Sequence, residues 1–497
     1  MTATLMTVAT MDSRIINLEK DFFWLNAMRF AIKPATFKLI FLSLTKIRCQ
    51  KRFLLFLTEF HNIIDPFQVR SRMKKILFLF LGSVAIAAKG QIPDHIYKPN
   101  IHSVKLYKYG DIYSYPVMML NSSDQLELHF DDMDEDYKNY YYTFQLCNAD
   151  WTPADIQSFD YIRGFQTNRI TTYRNSSIVF TRYTHYQATI PERNSAPTRS
   201  GNYLLKVFLN DDPTRLVFTK RFLVVNNKAL VSALVTQPFN STFFRTHQRV
   251  QVTVNTVNAQ INAFSPQDLK VALVQNYVWS SATIIDRPNI FRGNYFEYSD
   301  EESTTFQAGK EWRWLDLRSL RLLSDRMAKI IDTNKTRTDI YVKADGDRSQ
   351  QVYIYYRDLN GIYTIENSEG TNPFWQSDYA WVHFTYVPPG NRAYEGRSVY
   401  VFGELTGYAT DDGSKMTFND QTGVYEKAIY LKQGYYNYSY VTMTDKKQAG
   451  FTPSLENTEG NYWGTENSYM VLVYFRPFGA RADELIGYTM VNSAFQR

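Results

Sequence analysis

The densest group of potential ligands in this sequence is the run DDMDEDY at residues 131–137. Its carboxylates offer the oxygen ligands that calcium prefers. The spacing does not fit an EF-hand loop, because counting from Asp132 puts Tyr137 where that loop needs glycine and Thr143 where it needs glutamate. The run predicts a solvated loop at one end of a β-sandwich, and whether it binds calcium is left open.

Histidine-based chemistry is not indicated either. Beyond residue 90 the histidines show neither i+2 nor i+4 pairing, and there is no H-E-x-x-H motif, no G-x-S-x-G elbow and no P-loop. A pair of acids for glycoside hydrolysis could come from distant strands, but nothing marks one. We therefore predict a protein that is not an enzyme, with no catalytic residue, no metal site and no cofactor. The histidines concerned are His95, His102, His129, His185, His247 and His383.

Charge and composition narrow the class of protein further. Residues 1–90 hold 14 of the 55 basic and 5 of the 49 acidic residues, so the remaining chain, with 41 and 44, is mildly acidic. Such a balance argues against nucleic acid as a partner. Two cysteines are too few for a disulfide scaffold, and we expect Cys147 to be a buried apolar group in a strand. With 37 tyrosines, aromatic residues are abundant.

The elements that carry these residues read as short β-strands. Tyr203, Leu205 and Val207 alternate with other residues, as do Val250 and Val252, which predicts sheets with one wet face. The spacing of such strands predicts an all-β fold of tandem immunoglobulin-like, early-set β-sandwich domains. The segment 339–356 predicts a hairpin that turns at Asp345-Gly346. The segment 316–332 fits either a helix or two short β segments.

Two breaks divide the strand-rich chain into units. One is Asn226-Asn227-Lys228, and the other is Pro388-Pro389-Gly390-Asn391, where two prolines cannot continue a central strand. They predict three domains. The predicted domains are 91–227, 228–390 and 391–497.

The first ninety residues carry a targeting signal. Lys74 and Lys75 precede the apolar run 76–88, and small residues follow, which is the pattern of a secretory signal peptide at 73–90. The apolar run is too short to span a bilayer. Because a signal peptide stands at an N-terminus, we expect translation to start at Met73, with 1–72 a spurious extension. Export would be to the periplasm.

Rows of aromatic residues have two readings. Tyr436, Tyr438 and Tyr440 share one strand face, and Trp312 and Trp314 share another. Such rows form core, or they form a contact surface where tyrosine and tryptophan act as hot spots. For any single row core is favoured, and for the whole chain this abundance indicates partner contact.

The third unit resembles an early-set sandwich of the glycogen-binding type. The resemblance rests on VYVFGELTGYATDD and GVYEKAIYLKQGYYNYSYV. The family's sugar-stacking tryptophan is replaced by Tyr408 and its lysine by Ser439. The resemblance implies the fold and leaves a glycan-binding β-sandwich protein of the periplasm or cell surface as the alternative function.

A second resemblance extends over nearly all of 98–489. The tail at 455–489, the opening at 98–165 and AGKEWRWLDLRSLR at 308–321 resemble, in order, the type IX secretion system plug protein family. The resemblance implies a non-enzymatic periplasmic plug, associated with the outer membrane, that binds and seals the periplasmic mouth of a giant β-barrel translocon. It transfers no contact residues. Exposed sheet edges could add strands to the rim of that barrel.

Overall fold

Alternation of apolar and polar residues makes almost every regular element in the described part of this chain a β-strand, as the all-β prediction requires. The computed structural model describes residues 92–257, 266–333, 336–445 and 452–496. The predicted extension 1–72 and the signal peptide 73–90 lie outside the described residues. In the part of the chain that is described, no helix has the length and apolar character needed to cross a membrane.

The strands of the first half are short and follow one another closely. They are β1 Ile101–Lys108, β2 Val117–Met119, β3 Leu126–Asp132, β4 Tyr140–Cys147, β5 Ile162–Gly164, β6 Asn168–Arg169, β7 Thr172–Asn175, β8 Thr184–Ile190, β9 Ser195–Pro197, β10 Gly201–Leu209, β11 Leu216–Val225, β12 Leu230–Thr236, β13 His247–Asn255, β14 Leu269–Gln275, β15 Thr283–Ile285, β16 Ile290–Arg292 and β17 Tyr295–Tyr298.

The second half continues in the same way. Its strands are β18 Thr305–Gln307, β19 Arg313–Asp316, β20 Met327–Thr333, β21 Arg337–Val342, β22 Asp345–Gly346, β23 Tyr363–Thr364, β24 Tyr379–Val387, β25 Arg397–Phe402, β26 Thr417–Asn419, β27 Val424–Lys432, β28 Tyr435–Thr444, β29 Ser468–Phe475 and β30 Glu484–Asn492. Among the described residues, the helices are the α-helix Glu301–Thr304 and the 3₁₀ turns Ser158–Asp160, Pro266–Asp268, Trp279–Ser281, Pro389–Asn391, Glu404–Thr406 and Ser493–Gln496.

These strands pair into sheets that face one another across three apolar cores. The first sandwich combines β1–β3–β8–β7 with β2–β11–β10–β4–β6. The second combines β12–β13–β17–β16, with β18 beside β13, and β15–β14–β29–β30. The third combines β19–β28–β23, with β25 beside β28, and β20–β21–β24–β27–β26, with β22 beside β24. A small ribbon, β5–β9, flanks the first sandwich. The all-β sandwich prediction is confirmed.

The strand pairing differs from the predicted boundary at residues 390–391. β14 pairs with β29 in the second sandwich, and β24 pairs with β27 in the third, so both sheets cross that boundary. The second and third predicted units therefore share two sandwiches and are not successive domains. The reason is that the turn Pro389–Asn391, with Gly390 at φ 65°, returns the chain to the sandwich it has just left.

Two local predictions have clear outcomes. Residues 316–332 form the end of β19, an irregular stretch and β20, so the reading as two β segments holds and the helix does not. The hairpin turn at Asp345-Gly346 is wrong, because this dipeptide is β22, parallel to β24. Arginine and tyrosine side chains bind the carboxylate of Asp345 inside the core. Asp345 is therefore not available for a tight turn at the surface.

The first and second sandwiches are packed against each other through the outer faces of two sheets. Leu223 and Val225 lie against Leu472 and Leu485 in one buried apolar cluster. The sequence predicts a solvent-exposed face for these sheets, but at this contact that face is buried. The solvent-exposed face persists on β13, where Val250 and Val252 are buried and Gln251 is half-buried.

Candidate functional site

The structure brings together two histidines that stand far apart in the sequence. His129 on β3 and His185 on β8 face each other with 3.0 Å between Nδ1 and Nε2. Nδ1 of His185 also lies 2.6 Å from Oδ1 of Asp131. The other carboxylate oxygen of Asp131 accepts hydrogen bonds from Lys432 at 2.5 Å and from the Tyr379 hydroxyl at 2.5 Å. Asp131, His129, His185 and Lys432 thus form one connected hydrogen-bond cluster, which we call the relay.

The charges of this relay are set by burial and by one ion pair. Burial lowers the pKa of His185 to about 4, against the effect of Asp131, so its ring is neutral at neutral pH. Burial also acts to raise the pKa of Asp131, but Lys432 and His185 outweigh it and hold that pKa below its usual value. The relay therefore holds a carboxylate and an ammonium that compensate each other.

The residues of the relay are of types that occur in active sites, but they are closed off from solvent. Asp131 and His129 are 0% exposed and Lys432 is 1% exposed. The ring of Phe374 stacks on His129 with 3.8 Å between centroids and closes the cluster on the third sandwich. No substrate can reach these groups, so the arrangement fastens the first sandwich to the third.

The other histidines have separate environments. His102 packs edge-on against Tyr379 and Tyr430, and His383 lies 2.8 Å from a carboxylate oxygen of Asp339. His247 contacts the Thr246 hydroxyl at 2.8 Å. His95 packs against Tyr97. Among the histidines that the structure describes, only His129 and His185 converge.

The acidic run 131–137 divides between two faces of β3 and the loop that follows. Asp131 enters the relay, whereas Asp132, Asp134 and Asp136 lie within reach of one another. The Nζ atom of Lys138 lies 2.8, 2.5 and 3.0 Å from carboxylate oxygens of these three. Burial opposes the change, yet these hydrogen bonds raise the pKa of Lys138. The lysine ammonium occupies the position in which a bound cation would have to lie.

A second buried ion network joins the third sandwich to the segment between β28 and β29. Arg313 donates from Nε to Glu459 at 2.9 Å and from Nη1 to Asp345 at 2.8 Å. Arg348 also donates to Glu459, at 2.6 Å. Arg326 pairs with Asp345 as well. Three guanidinium groups share two buried carboxylates in this network, which therefore acts as an internal fastening.

The aromatic rows are mostly core. Tyr436, Tyr438 and Tyr440 are at most 2% exposed, which confirms the core reading for this row. Their hydroxyls reach backbone or carboxylate acceptors, as Tyr438 and Tyr440 do at Asp345. Trp312 is also buried, beside Phe402. Trp314 packs edge-on against Tyr356.

The positions that would bind sugar in a glycogen-binding module are not presented to solvent. Tyr408 packs edge-on against Phe402, with 5.6 Å between ring centroids, and Ser439 is 3% exposed. On the outer face of the same sandwich Trp381 and Tyr430 are inclined by 40°, so they do not form one plane. The geometry gives the glycan-binding alternative no flat aromatic platform at these residues.

The candidate contact site is a segment without regular secondary structure, residues 351–357, which we call the exposed segment. It forms no strand and pairs with none of the strands described. Val352 is 87% exposed, Ile354 73% and Tyr355 59%. An unpaired backbone segment with apolar side chains in solvent offers main-chain groups to which another chain can add a strand.

The exposed segment is held to the body by polar anchors. Hydroxyls of Tyr353 and Tyr356 donate to the side chain and the backbone carbonyl of Glu311, the latter at 3.0 Å. The Lys310 ammonium donates to the carbonyl of Gln351 at 2.8 Å. The anchors fix the inward tyrosines and leave the outward residues available.

The anchor includes carboxyls whose charge is suppressed. Burial raises the pKa of Glu311 to about 7, and burial likewise raises that of Asp358 to about 7. The Oε2 atom of Glu311 is buried with no hydrogen-bond partner among the described residues. Close to neutral pH these two carboxyls are therefore only about half ionised.

The variant Glu311→Gln tests this proton. With a pKa near 7 in the folded state and 4.5 as the ordinary value, the wild type should lose stability as pH rises from about 4.5 to 7. The variant should not show this loss of stability, because glutamine does not titrate. Urea unfolding should show the wild type falling relative to the variant by about 2–3 kcal/mol between pH 5 and pH 8. The exposed Glu395→Gln is the control, and equal slopes for both variants would contradict the prediction.

Sequence reasoning missed both the relay and the exposed segment. The register that places Asp131 opposite His185 is a pairing between strands separated by more than fifty residues. No local spacing reports it. The valine, isoleucine and tyrosine of the exposed segment alternate in a way typical of a hairpin strand, so the local pattern predicts a pairing that the described residues do not show.

Comparison with known proteins supplies the remaining evidence. A family model described as the type 9 secretion system plug protein 1st domain matches residues 101–226. The crystal structure of a hypothetical protein from Parabacteroides merdae is similar, with 32% identity over 81% of this chain and 100% of that chain, at a TM-score of 0.76. None of the curated proteins compared matches.

Proposed function

The chain belongs to the type IX secretion system plug protein family, and on that premise we propose that it binds and seals the periplasmic mouth of the system's outer-membrane β-barrel translocon. The family assigns it to type IX secretion and is not a family of enzymes. The proposal includes export through the signal peptide at 73–90 and association with the outer membrane. It needs no cofactor and no small-molecule substrate.

The observation that carries the proposal is the way the three sandwiches are fastened. Buried ion networks join the third sandwich to the first through Asp131 and Lys432, and to the C-terminal segment through Arg313 and Glu459. A body whose parts are fixed in this way can obstruct a wide pore by its shape alone. The acids, histidines, lysine and arginines of these two networks bind one another, which fits a structural role.

We further propose that the exposed segment adds an edge to the barrel's periplasmic rim. Main-chain pairing supplies affinity in such complexes, and outward side chains supply selectivity. Burying Val352 and Ile354 would contribute about 1.5–3 kcal/mol each. This interface is small enough to release when cargo needs the pore.

The double variant Val352→Asp, Ile354→Asp tests the contact. Purified translocon should bind it at least about tenfold more weakly than the wild type, since each 1.4 kcal/mol is tenfold in affinity. A strain carrying only the variant should admit a large antibiotic, as should a strain without the gene. Leu322→Asp, Leu323→Asp is the matched control, because these leucines are also exposed, at 72% and 60%.

Two results would count against the proposal in different ways. Normal binding by the Val352, Ile354 variant would show that the exposed segment is not the contact, and it would not contradict the plug role. Unchanged permeability in the strain without the gene, with the translocon present, would remove the plug role itself.

A further inference from the structure

The second sandwich carries a buried arginine that the plug role does not use. Arg249 on β13 stands directly opposite Thr236 of β12 on one side and Thr305 of β18 on the other. Directly opposed residues project from the same face of a sheet. The three side chains therefore form a row across three strands, on the face opposite the core valines such as Val250. We call this row the arginine site.

The arginine site is rich in polar atoms without partners. Arg249 is 5% exposed, and its Nη2 donates to the backbone carbonyl of Ser299. Its Nε and Nη1 atoms are buried with no hydrogen-bond partner among the described residues, and the hydroxyls of Thr236 and Thr305 share that condition. A buried cation that lacks a counter-charge is costly, and an anion that pairs with it recovers much of that cost.

Apolar side chains surround this charge. The ring of Phe239 covers the guanidinium, with 4.8 Å from its centroid to Cζ, while the residue itself is 79% exposed. Phe243 and Phe244 on the same loop are 39% and 46% exposed, and Leu234 on β12 is 48% exposed. A single positive charge thus lies beneath an apolar surface, and Phe239 is the cover that has to move aside.

We propose that the arginine site binds the carboxylate of a glutamate or aspartate side chain, presented by an apolar segment of a partner protein. The planar fork of a guanidinium pairs with a planar carboxylate through two parallel hydrogen bonds. The two threonine hydroxyls supply further donors. The flanking phenylalanines and Leu234 contact the apolar residues on either side of the acid.

The chemistry favours one negative charge on a slender side chain. Asp300 and Glu301 follow Ser299 directly, and the Glu301 carboxylate accepts a hydrogen bond from the backbone N–H of Asn240 at 2.6 Å. These acids disfavour a phosphate dianion beside a single arginine. An acidic side chain reaches a covered guanidinium while its own backbone stays outside, whereas a chain terminus needs a wider opening. The inference does not rest on the plug role.

The experiment titrates the full chain with three tripeptides and follows its amide and arginine Nε–H signals by NMR. The first is N-acetyl-Phe-Glu-Leu-amide, the second is the glutamine analogue, and the third is the glutamine analogue with a free C-terminal carboxylate. The first should bind saturably and at least tenfold more tightly than the other two. The shifts should centre on the Phe239 loop.

Two variants complete the test. Arg249→Met should abolish the preference for glutamate while leaving the melting temperature unchanged or higher, because it removes an unpaired charge. Phe239→Ala should keep the preference. Equal binding of glutamate and glutamine peptides, equal binding by Arg249→Met, equal binding of the free-terminus peptide, or no binding at 20 mM would each overturn the proposal, as would a large drop in the melting temperature of Arg249→Met.

Discussion

Lys432→Met should lower the free energy of unfolding by about 3–5 kcal/mol, because it leaves the buried Asp131 carboxylate without its ammonium partner. Both residues are almost fully buried, and the pair joins the first sandwich to the third. Urea denaturation followed by tryptophan fluorescence measures the change. The loss of this fastening should also make the first sandwich unfold separately from the rest.

A double variant distinguishes the effect of the unpaired charge from the effect of lost side-chain packing. Adding Asp131→Asn to Lys432→Met removes both charges together and should recover most of the lost stability, since replacing a whole buried pair is often close to neutral. Arg182→Met, which breaks an exposed pair with Glu135 at 3.9 Å, should change stability by less than about 0.5 kcal/mol. Equal effects of Lys432→Met and Arg182→Met would contradict this assignment.

Arg313→Met should be comparably damaging, by about 3–5 kcal/mol at neutral pH. It removes the guanidinium that serves both Glu459 and Asp345, which are 1% and 3% exposed. Burial acts to raise the pKa of Glu459, but Arg313 and Arg348 lower it to about 2. In the wild type the pairing therefore contributes stability above pH 4.5, and that contribution disappears as pH falls towards 2.

The pH dependence gives this second prediction its own check. The stability difference between wild type and Arg313→Met should be largest near pH 7 and should shrink at pH 3, where the carboxylate of the variant is protonated. Thermal unfolding at the two pH values measures it. A difference that stays constant from pH 7 to pH 3 would show that Arg313 acts through packing alone.

Much of the fold follows from local pattern. The alternation of Val250 with Gln251, and of Val252 with Thr253, specifies a strand wherever it occurs, so the all-β class was predictable. Cys147 is buried at the end of β4, as its surroundings in the sequence predict. The tyrosines of β28 were also predictable as core, because their strand offers its whole face to a facing sheet.

What local pattern could not supply is the partner of each strand. Val271 pairs with Val473, and nothing near either valine specifies the other. For the same reason the ion pair of Asp131 with Lys432 could not be predicted, because the two residues lie much further apart in the sequence than the length of any motif. The exposed segment shows the opposite case: Val352 and Ile354 have strand character, but the anchors at Glu311 direct them into solvent.

The pairing of β14 with β29 also determines when this molecule can fold. Leu269 must wait for Phe475, some two hundred residues later, before the second sandwich can close. Loop closure over such a span is slow, and it cannot begin until nearly the whole chain has emerged. A chain that crosses a membrane unfolded meets this requirement naturally, whereas a version shortened by the last forty residues would leave β14 as an open edge that invites aggregation.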